Sequence, residues 1–477
     1  MIKIALIGHD YRYEAYTIAS LFYEKKDILF VDSESEGDIV SIYNEETNSC
    51  ISKVNHETEF KVNVEDNKKQ IKLGIKSTLL SGLKHITGKE VPWGILVGIR
   101  PTKLYHDFKE EGLGDDMIRE ILSSKYHLYS DKIDLLIKVA KAEEPFLQRP
   151  NRAVGIYIGI PFCPTRCSYC SFTSNPLGTK GKMVDAYLDC LIKEIEYTSK
   201  LIKEKNINVD TLYIGGGTPT ALNEGQLERL LETVSKNINT DNIREYTIEA
   251  GRPDSITREK LNIIKKYKAD RISVNPQTMN DETLRKIGRI HTSEDTINIF
   301  NMAREIGFNN INMDMIIGLP GEGVDHVKRT IESIKQLHPE SITIHTMAIK
   351  RASKLNEQGY ECNNDESIQM YNLGVNGAKD IGMIPYYMYR QKNMVSPLEN
   401  VGYSLKGMEC IYNVQMIAEN ISIIGLGADS VSKAIYPSEN RLERVGNLKD
   451  LHEYINRIDE VLLNKKKVVN MIDESFS

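Results

Sequence analysis

VGIYIGIPFCPTRCSYCSF, residues Val154 to Phe172, carries a hydrophobic strand pattern straight into a loop that holds Cys163, Cys167 and Cys170. Three thiols in one short loop match neither common structural use of cysteine, since a disulfide takes two and a structural zinc site four. The run VGIYIGI is also the first of six buried strands that alternate with amphipathic helices. The others are TLYIGGG, YTIEAG, RISVNPQ, INMDMIIGLP and SITIHTMAI. Between them lie helical patterns such as DAYLDCLIKEIEYTSKLI, whose Leu188, Leu191, Ile192 and Ile195 form one apolar face. Six βα units in series specify an α/β fold with a parallel sheet and right-handed crossovers. In a barrel of this kind the active site lies at the carboxyl ends of the strands. The unusual polar residues of this sequence fall there, which favours a partial (β/α)6 barrel, assigned to residues 149–366.

The flanks read differently. Residues 1–148 form an N-terminal α+β module of unassigned role, with IKIALIG, DILFVDS, DIVSIYN and EFKVNVED as short strands and QIKLGIKSTLLSGLKHIT as a helix. Helical stretches follow, DDMIREILSSKY and SDKIDLLIKVAKAEE. Residues 367–477 read as a mainly helical C-terminal region that covers the substrate. Within it PYYMYRQKNMVSPLENVGYS is expected to be irregular.

Composition bounds the function. The 477 residues exceed one ordinary core, and 40% hydrophobic with 27% charged residues is globular usage. A net charge of −6 gives no global footprint for nucleic acid, so an anion site has to be built locally. No apolar run approaches the ~20 residues of a membrane span, and the first residues lack a signal-peptide pattern. Four of the seven cysteines (Cys50, Cys190, Cys362, Cys410) are scattered, as in a reducing, cytoplasmic protein.

The clustered three need a different chemistry. Structural zinc wants a fourth ligand, and none lies nearby in sequence, although His345 or a distant cysteine offers one in space. A four-iron cubane held by three thiolates keeps one iron open to an outside ligand, and an open coordination position marks a catalytic centre. The spacing C-x3-C-x2-C in one loop favours the cubane.

With Tyr169 just before the last cysteine and a six-unit barrel around it, the trio resembles the radical S-adenosylmethionine (SAM) enzymes. In that family the open iron chelates SAM, and the reduced cluster cleaves it to a 5′-deoxyadenosyl radical in a site kept dry. IYIGIPFCPTRCSYCSF, LYIGGGTPT, YTIEAGRPDS, RISVNPQTMNDETLRKIGRIHT and NMDMIIGLPGE follow, in order and spacing, the oxygen-independent coproporphyrinogen III oxidases and their relatives. The similarity runs from about Ala153 to Ser353 and returns in IGLGADSVS. GIRPTK, AIKRAS and YMYRQKN look like the HemZ-type branch of the HemN/HemW family.

The resemblance implies roles. Cys163, Cys167 and Cys170 are the cluster ligands and the catalytic set. Tyr157, Tyr169, Gly216, Gly217, Thr218, Glu249, Gln277, Arg289, Asp314, Ala348 and Val431 match SAM contacts, with room for a second SAM molecule. GGGTPT lacks the Gly-Lys-Ser/Thr ending of a nucleotide-triphosphate loop, and its glycines suit either close approach to a ligand or a tight turn. The implied substrate is a tetrapyrrole, coproporphyrinogen III, which undergoes two oxidative decarboxylations to protoporphyrinogen IX. A low-potential electron donor such as flavodoxin or ferredoxin is implied with it. Lys350, Arg351, Arg390 and Lys392 are candidate cations for its propionates, as are Arg100 and Lys103, and each suits solvated surface charge as well. Arg390 and Lys392 stand among Tyr386, Tyr387 and Tyr389, which offer flat apolar surface. Phe172 occupies the place of a fourth cysteine in the best-known oxidases. A haem-binding chaperone of the HemW type and a radical SAM haem-modifying enzyme therefore remain as alternatives.

Overall fold

Two separate sheets organise the chain, one within Met1–Ala140 and one within Lys141–Ser477. The computed structural model describes all residues except 171, 173, 350–352, 354, 356–359, 361–362, 392–393 and 477.

The first unit holds β1 (Ile2–Ile7), β2 (Ile28–Val31), β3 (Ile39–Asn44), β4 (Ser49–Val54) and β5 (Thr58–Asn63) in the order β2-β1-β3-β4-β5. β1 pairs in parallel with both β2 and β3, and β3-β4-β5 is an antiparallel meander. A helix over Lys68–Thr87 packs on it, opened by Asn67, whose side chain accepts the Gln70 N–H, and closed by left-handed Gly88. Close contact is built in at Gly74, where a β-carbon would meet Val64 Cγ1 at 2.6 Å and Cys50 Sγ at 2.8 Å. β4 was not anticipated from the sequence, because SCISKV is short and polar; its inward Ser52 is instead satisfied by Thr78 on the helix, at 3.1 Å.

The second unit contains β6 (Ala153–Ile160), then the two-residue strands β7 (Phe162–Cys163) and β8 (Asn175–Pro176) that bracket the cysteine loop. β9 (Asn208–Gly216), β10 (Glu245–Gly251), β11 (Arg271–Val274), β12 (Ile311–Ile317) and β13 (Ser341–Thr346) follow, all parallel to β6 and joined through helices. These are the six expected βα units. One buried face is mainly Ile, Val, Leu and Met, while the other carries buried polar groups such as Thr211, Glu245, Arg271, Asn312 and Thr343.

The C-terminal region carries more helix than strand, yet its strands all join the same sheet. The stretch expected to be irregular forms β14 (Ile384–Tyr389) and β15 (Asn400–Ser404), antiparallel beyond β13. β16 (Ser422–Leu426) adds in parallel to β6 at the other end, followed by antiparallel β17 (Val431–Tyr436) and β18 (Arg441–Gly446). The result is an open sheet of eleven strands edged by β14 and β18. Long-range register, which no local pattern encodes, recruits these segments.

The amino ends of the barrel strands are closed by a helix over Ile411–Ala418. Buried Glu245 accepts from the Cys410 thiol at 3.2 Å and from the Ile411 N–H, and Gln415 bridges Asp210 and Thr211 at 2.6 and 2.9 Å.

Candidate functional site

The cysteine loop leaves β6 and is tied down both by its neighbours and across its own base. Thr165 donates to the Gly288 carbonyl at 2.7 Å, the Ser168 N–H to Ile287 at 3.0 Å, and Asn175 Nδ2 to Pro161 at 3.0 Å. Cys163 and Cys167 are buried and Cys170 is half-buried, all three as free thiols. Burial, with the neighbouring cysteines adding to it, pushes the Cys163 thiol up to about 11, against a hydrogen bond from Thr218 at 3.6 Å. Thiols held this way ionise when a metal replaces their protons.

The glycines of GGGTPT serve this loop directly. The Gly217 N–H donates to the Ile160 carbonyl at 2.8 Å. A β-carbon on Gly217 would lie 2.6 Å from the Phe162 carbonyl oxygen and 2.9 Å from Cys163 Sγ. Gly216 adopts φ +109, a conformation that favours glycine. Both glycines are therefore required by the protein itself at this corner, and Thr218 reaches the Cys163 sulfur from the same turn.

Further polar groups gather at the carboxyl ends of β10 to β13. Glu249, two residues before the end of β10, accepts a hydrogen bond from the Tyr213 hydroxyl of β9. Desolvation, with Asp314 adding repulsion, pushes the Glu249 carboxyl up to about 7 despite the hydrogen bonds from Tyr213 and the Gly216 backbone. Asp314 on β12 goes the other way. Burial pushes it up, but His345 at 3.8 Å and Asn312 at 2.7 Å outweigh this and hold it below the usual carboxylate range. Two carboxylates with ionisation pushed apart commonly divide acid and base duties.

Gln277 follows β11 in a left-handed conformation, φ +67, unusual for a residue with a side chain. Its N–H donates to the Asp314 carbonyl at 2.9 Å and its carbonyl accepts from Ile316 at 3.0 Å, which holds the strain in place. The side-chain oxygen of Gln277 is buried without a hydrogen-bond partner among the described residues. A backbone strained to present an unsatisfied acceptor points to a ligand. Arg289, also buried, donates to the Asn275 carbonyl at 2.7 Å and to the Tyr169 hydroxyl at 3.2 Å, so it braces the residue beside Cys170.

The remaining expected residues scatter in quality. Tyr157 stacks near Tyr213 and Tyr412, with ring centroids 6.3 Å from each, on the barrel interior. Ala348 bridges to Met394 beyond β13. Val431 opens β17 beside Gly425, whose register partner on β6 is Tyr157. Arg390 is half-buried, and burial, opposed by Glu399, pushes its guanidinium down to about 10. Tyr386 and Tyr387 are not the surface they were expected to be; both are buried core residues, because β14 is covered on both faces. Only Tyr389 reaches the mouth, where its hydroxyl meets His345 Nδ1 at 3.2 Å. Lys350, Arg351 and Lys392 lie outside the described residues. Arg100 and Lys103 belong to the first unit, Lys103 paired with Asp107 at 2.8 Å.

Tyr213, Tyr412 and Arg252 were given no role at this site from the sequence alone, and His345 was considered only as a fourth zinc ligand. Tyr213 had a signal: it stands opposite Tyr157 in the register of β9 and β6, two strands already identified. Tyr412 had none, since it arrives from a distant helix.

The donor set fits an iron-sulfur cluster. Three thiols share one loop, and His345, the histidine considered as a fourth zinc ligand, is engaged by Asp314 and Tyr389. Among the described residues no three His, Cys, Asp or Glu side chains are gathered as for a single ion. A cubane asks instead for thiolates on separate irons, and three of them leave the fourth iron open. Among the same residues no helix is long and apolar enough to cross a membrane.

Comparisons with known proteins bear on the same residues. The model of the radical SAM superfamily matches residues 157–334. The chain is 39% identical to the oxygen-independent coproporphyrinogen-III oxidase-like protein HemZ of Bacillus subtilis, over 96% of this chain and 95% of that protein. It is 37% identical to the haem chaperone HemW of the same organism over 41% of this chain and 50% of HemW. Among solved structures, the coproporphyrinogen III oxidase HemN of Escherichia coli, described as a radical SAM enzyme, superposes with a TM-score of 0.52. That match covers 68% of this chain and 73% of HemN at 22% identity, and it speaks to the fold.

Proposed function

Because the chain belongs to the family of oxygen-independent coproporphyrinogen III oxidase-like proteins within the radical SAM superfamily, we propose that it oxidatively decarboxylates coproporphyrinogen III to protoporphyrinogen IX. Cys163, Cys167 and Cys170 would hold a 4Fe-4S cluster. When bound, that cluster would supply the electron for reductive cleavage of SAM, and with it the radical chemistry that oxidises a propionate side chain. Each oxidation would release carbon dioxide and pass one electron to an acceptor, leaving a vinyl group. The electron that starts each turnover comes from a low-potential donor such as flavodoxin or ferredoxin.

The residues of this chain bind, orient and exclude water. Glu249, as carboxylate, suits a cationic group of SAM, and Gln277 offers its unpaired acceptor to a donor on a SAM molecule. Tyr157, Gly216, Gly217 and Thr218 wall the cluster side, and Arg289 steadies Tyr169 next to the third thiolate. Ala348 and Val431 complete the SAM surface, and a second SAM molecule is part of the proposal. Arg390 is assigned to a propionate, together with Lys350, Arg351 and Lys392. The observations that support the reading are the half-buried carboxylates Glu249 and Asp314 and the unpaired, buried Gln277 acceptor, on the same sheet whose first strand leads into the three-thiol loop.

A second reading is favoured by Phe172. It is 69% exposed where a fourth cysteine stands in the best-known oxidases, and a flat tetrapyrrole can be bound by such a surface without being turned over. The deciding experiment is anaerobic: reconstituted protein, SAM, a reductant and coproporphyrinogen III, with products analysed by mass. Vinyl product with 5′-deoxyadenosine supports the oxidase. Tight haem binding without turnover supports a chaperone, and altered haem a haem-modifying enzyme.

A further inference from the structure

Arg252 leaves the carboxyl end of β10 directly after Gly251, whose left-handed φ of +68 turns the chain back toward the cysteine loop. Its side chain is 4% exposed, and its guanidinium donors are fully directed. Nε and Nη2 grip the Asp254 carboxylate fork-to-fork at 2.9 and 2.5 Å. Nη1 donates to the Thr165 hydroxyl at 2.9 Å, to the Thr165 carbonyl at 3.0 Å and to Cys167 Sγ at 3.7 Å. His291, buried, places Nδ1 3.7 Å from Asp254, beyond hydrogen-bond range.

A buried ion pair is a poor way to gain stability, since desolvation offsets much of its attraction and apolar residues would pack as well. Its position suggests a second use. Iron-sulfur potentials respond to net charge, solvent access and hydrogen bonds to the sulfurs. An N–H···S bond strengthens as the cluster gains an electron, because electron density on sulfur rises, and it therefore stabilises the reduced state. Asp254 cancels the net charge of Arg252, so the arginine acts through its hydrogen bond while the aspartate keeps the overall charge at zero.

We infer that the Arg252–Asp254 pair sets the reduction potential of the cluster by positioning one N–H against Cys167, with the two partners pulling the potential in opposite directions. The inference rests on the cluster reading above. The electron involved comes from the low-potential donor, or from dithionite in the test, and the oxidised cluster is what it reduces.

The test is an anaerobic redox titration of reconstituted full-length protein, following the electron paramagnetic resonance signal of the reduced cluster. Arg252→Gln should move the midpoint to more negative potential, and Asp254→Asn, which leaves the guanidinium uncompensated, to more positive potential. Arg252→Lys, which keeps charge but loses the fork, should fall between Arg252→Gln and wild type. A purely structural role would change iron content or unfolding without displacing the two midpoints oppositely. Midpoints equal to wild type in both Arg252→Gln and Asp254→Asn, or shifts of the same sign, overturn the inference. Should Arg252→Gln fail to take up iron, a positive shift in Asp254→Asn together with a negative shift in Arg252→Lys supports the inference, and any other pair of signs overturns it. Wild-type protein without iron and sulfide would instead defeat the cluster reading itself.

Discussion

The Tyr213 hydroxyl donates a hydrogen bond to the Glu249 carboxylate, joining β9 and β10 at their carboxyl ends. Glu249 titrates at about 7 because desolvation and Asp314 outweigh that bond. SAM affinity should therefore rise as pH increases from about 6 to about 8, where the carboxylate forms. Glu249→Gln should weaken binding and flatten the profile. Tyr213→Phe should move its inflection upward, since the lost bond favoured the charged form. Equilibrium dialysis with labelled SAM measures all three, and a flat wild-type profile would remove Glu249 from the SAM site. The effect on folding has the opposite sign. With the native pKa raised, the native state binds the extra proton, so this group's contribution is full below about 4.5 and is lost as pH rises through about 7.

Gly217→Ala places a β-carbon against the Phe162 carbonyl and Cys163 Sγ, both under 3.0 Å away. Backbone cannot yield there without moving the cysteine loop. Overpacking of this kind costs about 1–3 kcal/mol, and cluster uptake should fall with it. Gly178→Ala, where nothing lies within 4 Å, should leave both unchanged. Iron content and chemical denaturation are the measurements, and normal cluster loading in Gly217→Ala contradicts the argument.

Lys465 and Glu194 form a wholly buried pair 3.4 Å apart, with Glu194 also accepting from Tyr454 at 2.6 Å and the Gly427 N–H at 2.8 Å. Their helices, Ile458–Glu474 and Val184–Glu204, are thereby fastened to the turn after β16. Lys465→Met alone strands a buried carboxylate and should cost about 3–5 kcal/mol. Combining it with Glu194→Gln should recover most of the loss in urea unfolding. An undiminished deficit in the double variant would show that packing, not charge, is what the lysine supplies.

Phe172 projects from the cluster loop into solvent. Its replacement by Ala should leave iron content and unfolding within error, since exposed substitutions rarely move stability by more than about 0.5 kcal/mol. Tetrapyrrole affinity should drop about tenfold, the equivalent of about 1.4 kcal/mol of apolar contact. Fluorescence quenching with a porphyrin reads this directly, and unchanged affinity would exclude Phe172 from the binding surface.

Much of this site was legible because its signals are local. The three cysteines, the glycine turn and the positions of Glu249 and Asp314 on β10 and β12 are fixed by spacing within single βα units, and the structure brings them into one sheet. Tyr386 and Tyr387 misled for a corresponding reason. Aromatic residues beside Arg and Lys read as a wet, flat surface, and only the pairing of β14 with β15 shows them buried, with Gly402 left bare beneath the Tyr387 ring. The closure of the amino end by Gln415 and Cys410 was invisible, because its partners Asp210, Thr211 and Glu245 are more than 160 residues away.

The sequence by itself determined the parallel βα series, the three-thiol loop and the family, because hydrophobic period and short-range spacing are properties of neighbouring residues. Tertiary structure alone decided that the C-terminal segments extend the sheet on both sides, that desolvation beside Asp314 raises Glu249 against its bond from Tyr213, and that Arg252 touches Cys167. Those facts depend on which strand lies beside which and on how far water is kept away, and both emerge only when distant segments pack together.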